Sequence, residues 1–145
     1  MHPNGYFALV LAPASSALLV DTLATLPSPI AHHCTVAHGT RDPSDLPPAF
    51  SSADLGRRFH LAVRGFATRG DGGVQAAVVA LVLDDGRVIE TGFSSNRVPH
   101  VTVATDGVCD AAEANALLEA GFAQLEGPTL EATLLHSDAW ASEPP

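Results

Sequence analysis

The chain contains no lysine: all seven basic residues are Arg, set against sixteen Asp and Glu, for a formal net charge of −9 with His neutral. A surface that grips a nucleic-acid backbone carries a basic patch, and so few cations in an acidic chain disfavour extended binding to RNA or DNA. A local pocket needs only a few donors, which leaves a small nucleotide or the phosphorylated end of an RNA as a possible partner. The Lys-free, Ala-, Arg- and Pro-rich composition itself is read as the mark of a GC-rich genome, not as chemistry. Cysteine is scarce too. Cys34 and Cys109 are far apart and form no Cys-x-x-Cys pair, which argues against a zinc ribbon or thioredoxin-type site; both are read as small buried hydrophobes. No apolar run is long enough to span a bilayer, and the longest, from Val74 to Leu83, has the character of a strand. Met1-His2-Pro3-Asn4-Gly5 lacks the charge and apolar segment of a secretory signal, so a cytoplasmic protein with no membrane partner is expected.

What is present is enough for one folded domain over residues 1–145, with 46% hydrophobic residues and a mean hydropathy of +0.19. Tyr6 to Leu11 reads as a first strand. Ser15 or Ser16 then caps a helix reaching about Leu26, with Leu18, Leu19, Leu23 and Leu26 as its apolar stripe, stopped by Pro27 and Pro29. Residues 41–56 are Pro-, Asp- and Ser-rich loop. From Arg57, Phe59, Leu61 and Val63 alternate with polar residues as in a half-exposed strand, and Gly70-Asp71-Gly72-Gly73 turns the chain into a buried strand from Val74 to Leu83. Asp84-Asp85-Gly86-Arg87 makes a hairpin into Val88-Ile89-Glu90. Later, Asp110 caps a helix to about Gly121 with Ala114, Leu117, Leu118 and Phe122 inward, and a strand from Leu130 to Leu135 precedes a polar tail ending Glu143-Pro144-Pro145. Hairpins mixed with helices indicate an α+β fold with a largely antiparallel sheet.

One four-residue pattern occurs twice, as His33-Cys34-Thr35-Val36 and His100-Val101-Thr102-Val103. In a strand, His and Thr two residues apart share one face and the alternate pair is buried behind them. His38, His60 and His136 do not fit the pattern. Two imidazoles and two hydroxyls in one cleft suit acid-base chemistry on a phosphate ester: one ring takes a proton from water, the other delivers one to the leaving oxygen, and the hydroxyls donate to the phosphoryl oxygens. Thr and Val favour strands in any case, and a His on a polar sheet surface is ordinary, so the motif also has a purely structural interpretation.

These eight residues resemble the two His-x-[Ser/Thr]-x motifs of the 2H phosphoesterase superfamily, which includes LigT-like 2′,3′-cyclic phosphodiesterases and RNA-end processing enzymes. The order of strand, helix, motif, hairpins, motif, helix and strand matches along most of the chain. The doubled His32-His33 is similar to that of bacterial and phage RNA-repair members. The resemblance implies a bilobal, duplicated fold, with two mainly antiparallel sheets facing a central cleft and helices outside. It also implies hydrolysis of 2′,3′-cyclic phosphates or related phosphodiesters with no cofactor or metal. His33 and His100 would be the catalytic pair, with Thr35 and Thr102 on the non-bridging oxygens. By analogy His33 is the general acid and His100 the general base, an assignment that is reversible. This chain is shorter and more acidic than a typical member.

Arg97, three residues before His100, is a candidate phosphate ligand with a solvated surface role as the alternative. Tyr6 or Phe66 is a candidate platform for a base, with core packing as the alternative. His32 is expected to face away from His33. Two other functions stay open: a catalytically inactive module of the same fold binding a phosphorylated ligand or a basic protein, and a metal hydrolase using His32, His33 and His38, which no His-x-x-x-His helix or carboxylate cluster supports. The sequence leaves the oligomeric state open.

Overall fold

A computed structural model describes residues 4–139, so the Met1 end and the Glu143-Pro144-Pro145 tail lie outside the described residues. The fold is α+β and mainly antiparallel. Its strands are β1 (Tyr6–Leu11), β2 (Ser28–Pro29), β3 (His33–His38), β4 (Arg58–Thr68), β5 (Val74–Val82), β6 (Val88–Ile89), β7 (His100–Thr105), β8 (Ala123–Gln124) and β9 (Thr129–His136). Helix α1 spans Pro13–Leu23 and α2 spans Ala114–Ala120.

All nine strands belong to one sheet, where two separate sheets were expected. Six of them, in the order β7-β3-β1-β9-β4-β5, form a ring that closes because β5 also pairs with β7. Alternation fills the barrel: Leu9 of β1, Cys34 and Val36 of β3, Leu61 and Val63 of β4, Val79 and Leu81 of β5, Val101 and Val103 of β7, and Leu130 and Leu134 of β9 form one buried cluster. Leu19 of α1 joins this cluster from one end of the barrel, and Phe50 and Phe93 join it from loops. On the outer face, Ala114 and Leu118 of α2 pack on Val74, Ala76 and Val78 of β5.

The β1–β3 and β5–β7 ladders share one irregular register. Val10 faces His33 and Leu9 faces Cys34, just as Val78 faces His100 and Ala77 faces Val101. Each ladder then skips one residue, Val36 in β3 and Val103 in β7, before resuming at Phe7 opposite Ala37 and at Gln75 opposite Ala104. Such a bulge bends the strand and increases its twist, which helps a sheet of so few strands close.

Local expectations failed where proline and tertiary contacts overrode caps. α1 begins at Pro13, whose fixed φ suits the first helical turn, and Ser15 is buried instead, with its hydroxyl accepting from the Glu131 amide at 2.8 Å. Leu18 is 44% exposed, so the inner stripe of α1 is narrower than the spacing suggested. Asp110 does cap, accepting from the Ala112 amide at 2.9 Å, but the first turn behind it is 3₁₀ and α2 proper starts at Ala114. Cys34 is fully buried as expected; Cys109 is only partly so. Among the described residues no helix is long and apolar enough to cross a membrane.

Gln75 is the polar side chain on which the α1 exit depends. Buried in β5, it accepts from the amides of Thr25 and Leu26 at 2.9 and 3.2 Å and donates to the hydroxyls of Thr25 and Thr68 at 2.8 and 3.1 Å. Gln75→Ala strands two amide donors and is expected to lower unfolding free energy in urea by about 2 to 3 kcal/mol, whereas Val108→Ala, at a site 89% exposed, should fall within about 0.5 kcal/mol of the parent.

Candidate functional site

His33, Thr35, His100 and Thr102 project outward from β3 and β7 because their neighbours Cys34, Val36, Val101 and Val103 fill the barrel. All four line one cleft of about 260 Å³, together with Tyr6, Ile30, His38, Asn96, Asp110, Ala112 and Asn115. The strands meet there through one residue pair, Cys34 opposite Val101. Before that pair, the backbone amides of Ile30 and Ala31 donate to the carbonyls of Val103 and Thr102 at 2.8 and 3.0 Å. His32 and His33 are therefore two extra residues bulged out of the ladder along β7, and Ala31 enters the bulge at φ +40.

This bulge overturns the expectation for His32. Strand alternation does not hold across the insertion, and His32 Nδ1 lies 2.9 Å from His33 Nδ1, with the rings 5.1 Å apart and nearly perpendicular. One of the two nitrogens carries the shared proton. When His33 is fully protonated it is the donor and His32 the acceptor.

His100, 7% exposed, holds its Nδ1 2.8 Å from the Val98 carbonyl oxygen. A carbonyl only accepts, so Nδ1 bears the hydrogen and the neutral ring keeps its lone pair on Nε2. Burial lowers the pKa of His100 below the usual imidazole value, opposed by the bond to Val98. For His33, burial and then the charges of His32 and His100 lower the pKa to about 4. Both principal imidazoles of the cleft are thus neutral near pH 7.

Thr102 is 9% exposed and Thr35 half-buried. The carbonyl of Thr35 accepts from the Ser94 hydroxyl at 2.6 Å, and the Val36 carbonyl accepts from the Ser95 amide at 2.8 Å. These bonds tie the loop after β6 to β3 and bring Asn96 to the cleft. Tyr6 lines the cleft, its ring 5.2 Å from His33 and 6.0 Å from His38 and near-parallel to the latter. Phe66, by contrast, packs against the barrel core.

Arg97, the candidate phosphate ligand with a solvated surface role as its alternative, is exposed and does not line this cleft. It lines a neighbouring pocket with Arg64 and Phe122, because the loop sends Asn96 and Arg97 to opposite sides. Ile30, Asn96, Asp110, Ala112 and Asn115 line the cleft without a site role read from sequence, and His38, offered there only as a metal ligand, lines it too. Asn115 sits two residues into α2, where only knowledge of the packing of α2 over β5 would have pointed to it. Among the described residues no group of three or more His, Cys, Asp or Glu side chains could hold a metal ion, so His32, His33 and His38 do not form a donor set.

An imidazole whose pKa is lower folded than unfolded binds its proton more readily once unfolded, so acid favours unfolding. For His33 this loss starts near the ordinary imidazole value of 6.5 and is complete near its folded value of about 4. Between pH 7 and pH 5 the chain is expected to lose about 2 kcal/mol of stability through His33, read as a falling urea midpoint, and His33→Gln should flatten that slope. No protein-family model, curated protein or solved structure matches this chain, and what the cleft does therefore rests on its own geometry.

Proposed function

We propose that the chain is a metal-independent phosphoesterase that opens 2′,3′-cyclic phosphates, or related phosphodiesters of nucleotides and RNA ends, by two-histidine acid-base catalysis. The observation that carries this reading is the convergence of His33 and His100, 67 positions apart in sequence, on one cleft with Thr35 and Thr102 beside them.

The matching ladders support a duplicated, two-lobed origin for the barrel. Exchanging β1 with β5, β3 with β7 and β9 with β4 carries the strand ring onto itself, and the two motifs exchange with it. The skipped residue falls at the fourth position of each motif.

His100 is set up as the base. Its Nδ1–H is committed to Val98, so Nε2 is the nitrogen available to take a proton from water. The water oxygen bonds to phosphorus as the bond from phosphorus to one ribose oxygen breaks, and His33 Nε2–H delivers a proton to that oxygen. His33 carries this proton once an anionic phosphodiester lies against it, since the negative charge opposes the burial that holds the empty ring neutral. His32, accepting from His33 Nδ1, orients the imidazolium without touching substrate. The hydroxyls of Thr35 and Thr102 donate to the non-bridging oxygens as charge builds there. A cleft of this size admits a terminal nucleotide rather than a long duplex, in keeping with the acidic surface.

The four nucleoside 2′,3′-cyclic monophosphates, assayed with and without EDTA, test the proposal. Turnover insensitive to EDTA is expected, falling about 10² to 10⁴-fold in His33→Ala and in His100→Ala while circular dichroism stays native. Full activity in either folded variant, or no hydrolysis of any of the four by the parent, overturns it.

A further inference from the structure

The second pocket, of about 330 Å³, lies on the other side of the loop that carries Asn96 and Arg97. Its walls are Val78 and Ala80 of β5, Val98 and Pro99 before β7, and Phe122 after α2, with Arg64 and Arg97 as its cations. Five of the seven Arg, at 41, 57, 58, 69 and 87, are paired with carboxylates. Among the described residues neither Arg64 nor Arg97 has an ion pair, and both line this one pocket. In a chain with sixteen acidic residues to choose from, two unpaired guanidinium groups in one cavity call for an explanation.

The backbone supplies a second observation. Arg64 is the extra residue of a bulge in the β4–β5 ladder, which passes from Val63 opposite Val79 to Gly65 opposite Val78. A bulge re-aims the side chain it carries. Arg64 Nε is buried with no hydrogen-bond partner, the one side-chain atom in that condition among the described residues. A buried donor left unmet is costly, and an acceptor from outside the chain would satisfy it. Beside it, Gly65 lets the Phe122 ring come close: a Cβ there would stand 2.5 Å from Phe122 Cδ2. The ring is 37% exposed and offers a flat apolar surface next to the cations. Glu90 stands on the wall without pairing with either Arg, and supplies an acceptor for a hydroxyl or amino group.

We infer that the Arg64–Arg97 pocket is a second ligand site, which takes the phosphate of a small organic monophosphate and lays the flat or apolar body of that molecule on Phe122. The inference is independent of the hydrolytic reading of the cleft, since it concerns different side chains and a binding step alone. The two sites share a wall, however: Val98, which lines the pocket, is the residue whose carbonyl orients His100.

Titration of ¹⁵N-labelled protein with inorganic phosphate and with adenosine 5′-monophosphate tests it. Saturable shifts are expected at the amides of Thr91, Phe122 and Gln124, with the nucleotide binding more tightly than phosphate. Arg97→Gln, on an exposed loop position, and Arg64→Gln should each weaken binding about tenfold or more, the worth of one charge-assisted contact. The same shifts should persist in His33→Ala, which separates this site from the cleft. Shifts confined to Thr35 and Asn115, no saturable shift at all, or unchanged affinity in folded Arg97→Gln would overturn the inference. Should Arg64→Gln fail to fold, Arg97→Gln alone decides.

Discussion

A single residue pair, Cys34 opposite Val101, joins β3 to β7 and so closes the barrel at the place where the chemistry gathers. Elsewhere the ring is held by long ladders, such as the eight residue pairs between β4 and β5. A short seam costs little in stability because β2 runs along β7 just beyond it, where Ser28 and Pro29 face Thr105 and Ala104. It also frees backbone geometry where two imidazoles have to converge. A fully zipped β3–β7 ladder would have no room for the extra His32 and His33. The thiol of Cys34 lies under this seam, its pKa pushed up by burial to about 12, which keeps it an inert filler of the barrel.

Bulges recur wherever the structure has to present a side chain instead of burying it. Val36 and Val103 are skipped so that each motif strand twists away after its Thr, His32-His33 is extruded along β7, and Arg64 is lifted out of the β4 alternation. Each device leaves the barrel interior untouched while changing what appears outside. The electrostatic result in the cleft follows from the same economy. The His33 ring packs against His32 and Tyr6 and His100 is buried in its strand, so desolvation is the largest influence on the proton affinity of both.

Strand periodicity was legible because it is local. Tyr6–Leu11 and the buried run from Val74 were visible as apolar alternation or its absence, and the shared face of His33 with Thr35 and of His100 with Thr102 followed from a period of two. What the sequence concealed is non-local. Closure of six strands depends on pairing β5 with β7 and β9 with both β1 and β4, and no local pattern encodes partner choice. The two-residue insertion at His32-His33 looks like ordinary strand until the ladder beside it is known, so a period of two puts His32 on the face away from His33. Arg97 is a loop residue whose direction is set by hydrogen bonds from Ser94 and Ser95 to β3, contacts with no sequence signature.

The last strand sits between the first and the fourth: β9 pairs with β1 along Phe7 to Leu11 and with β4 along Arg58 to Ala62. Until residues 129–136 have left the ribosome, both partners present bare backbone donors and acceptors, and the interior filled by Leu130 and Leu134 is hollow. Synthesis from the N-terminus therefore cannot complete this domain piecemeal. The nascent chain waits for its final stave, and any shortening that removes it leaves an open, adhesive half-cylinder in place of a cask.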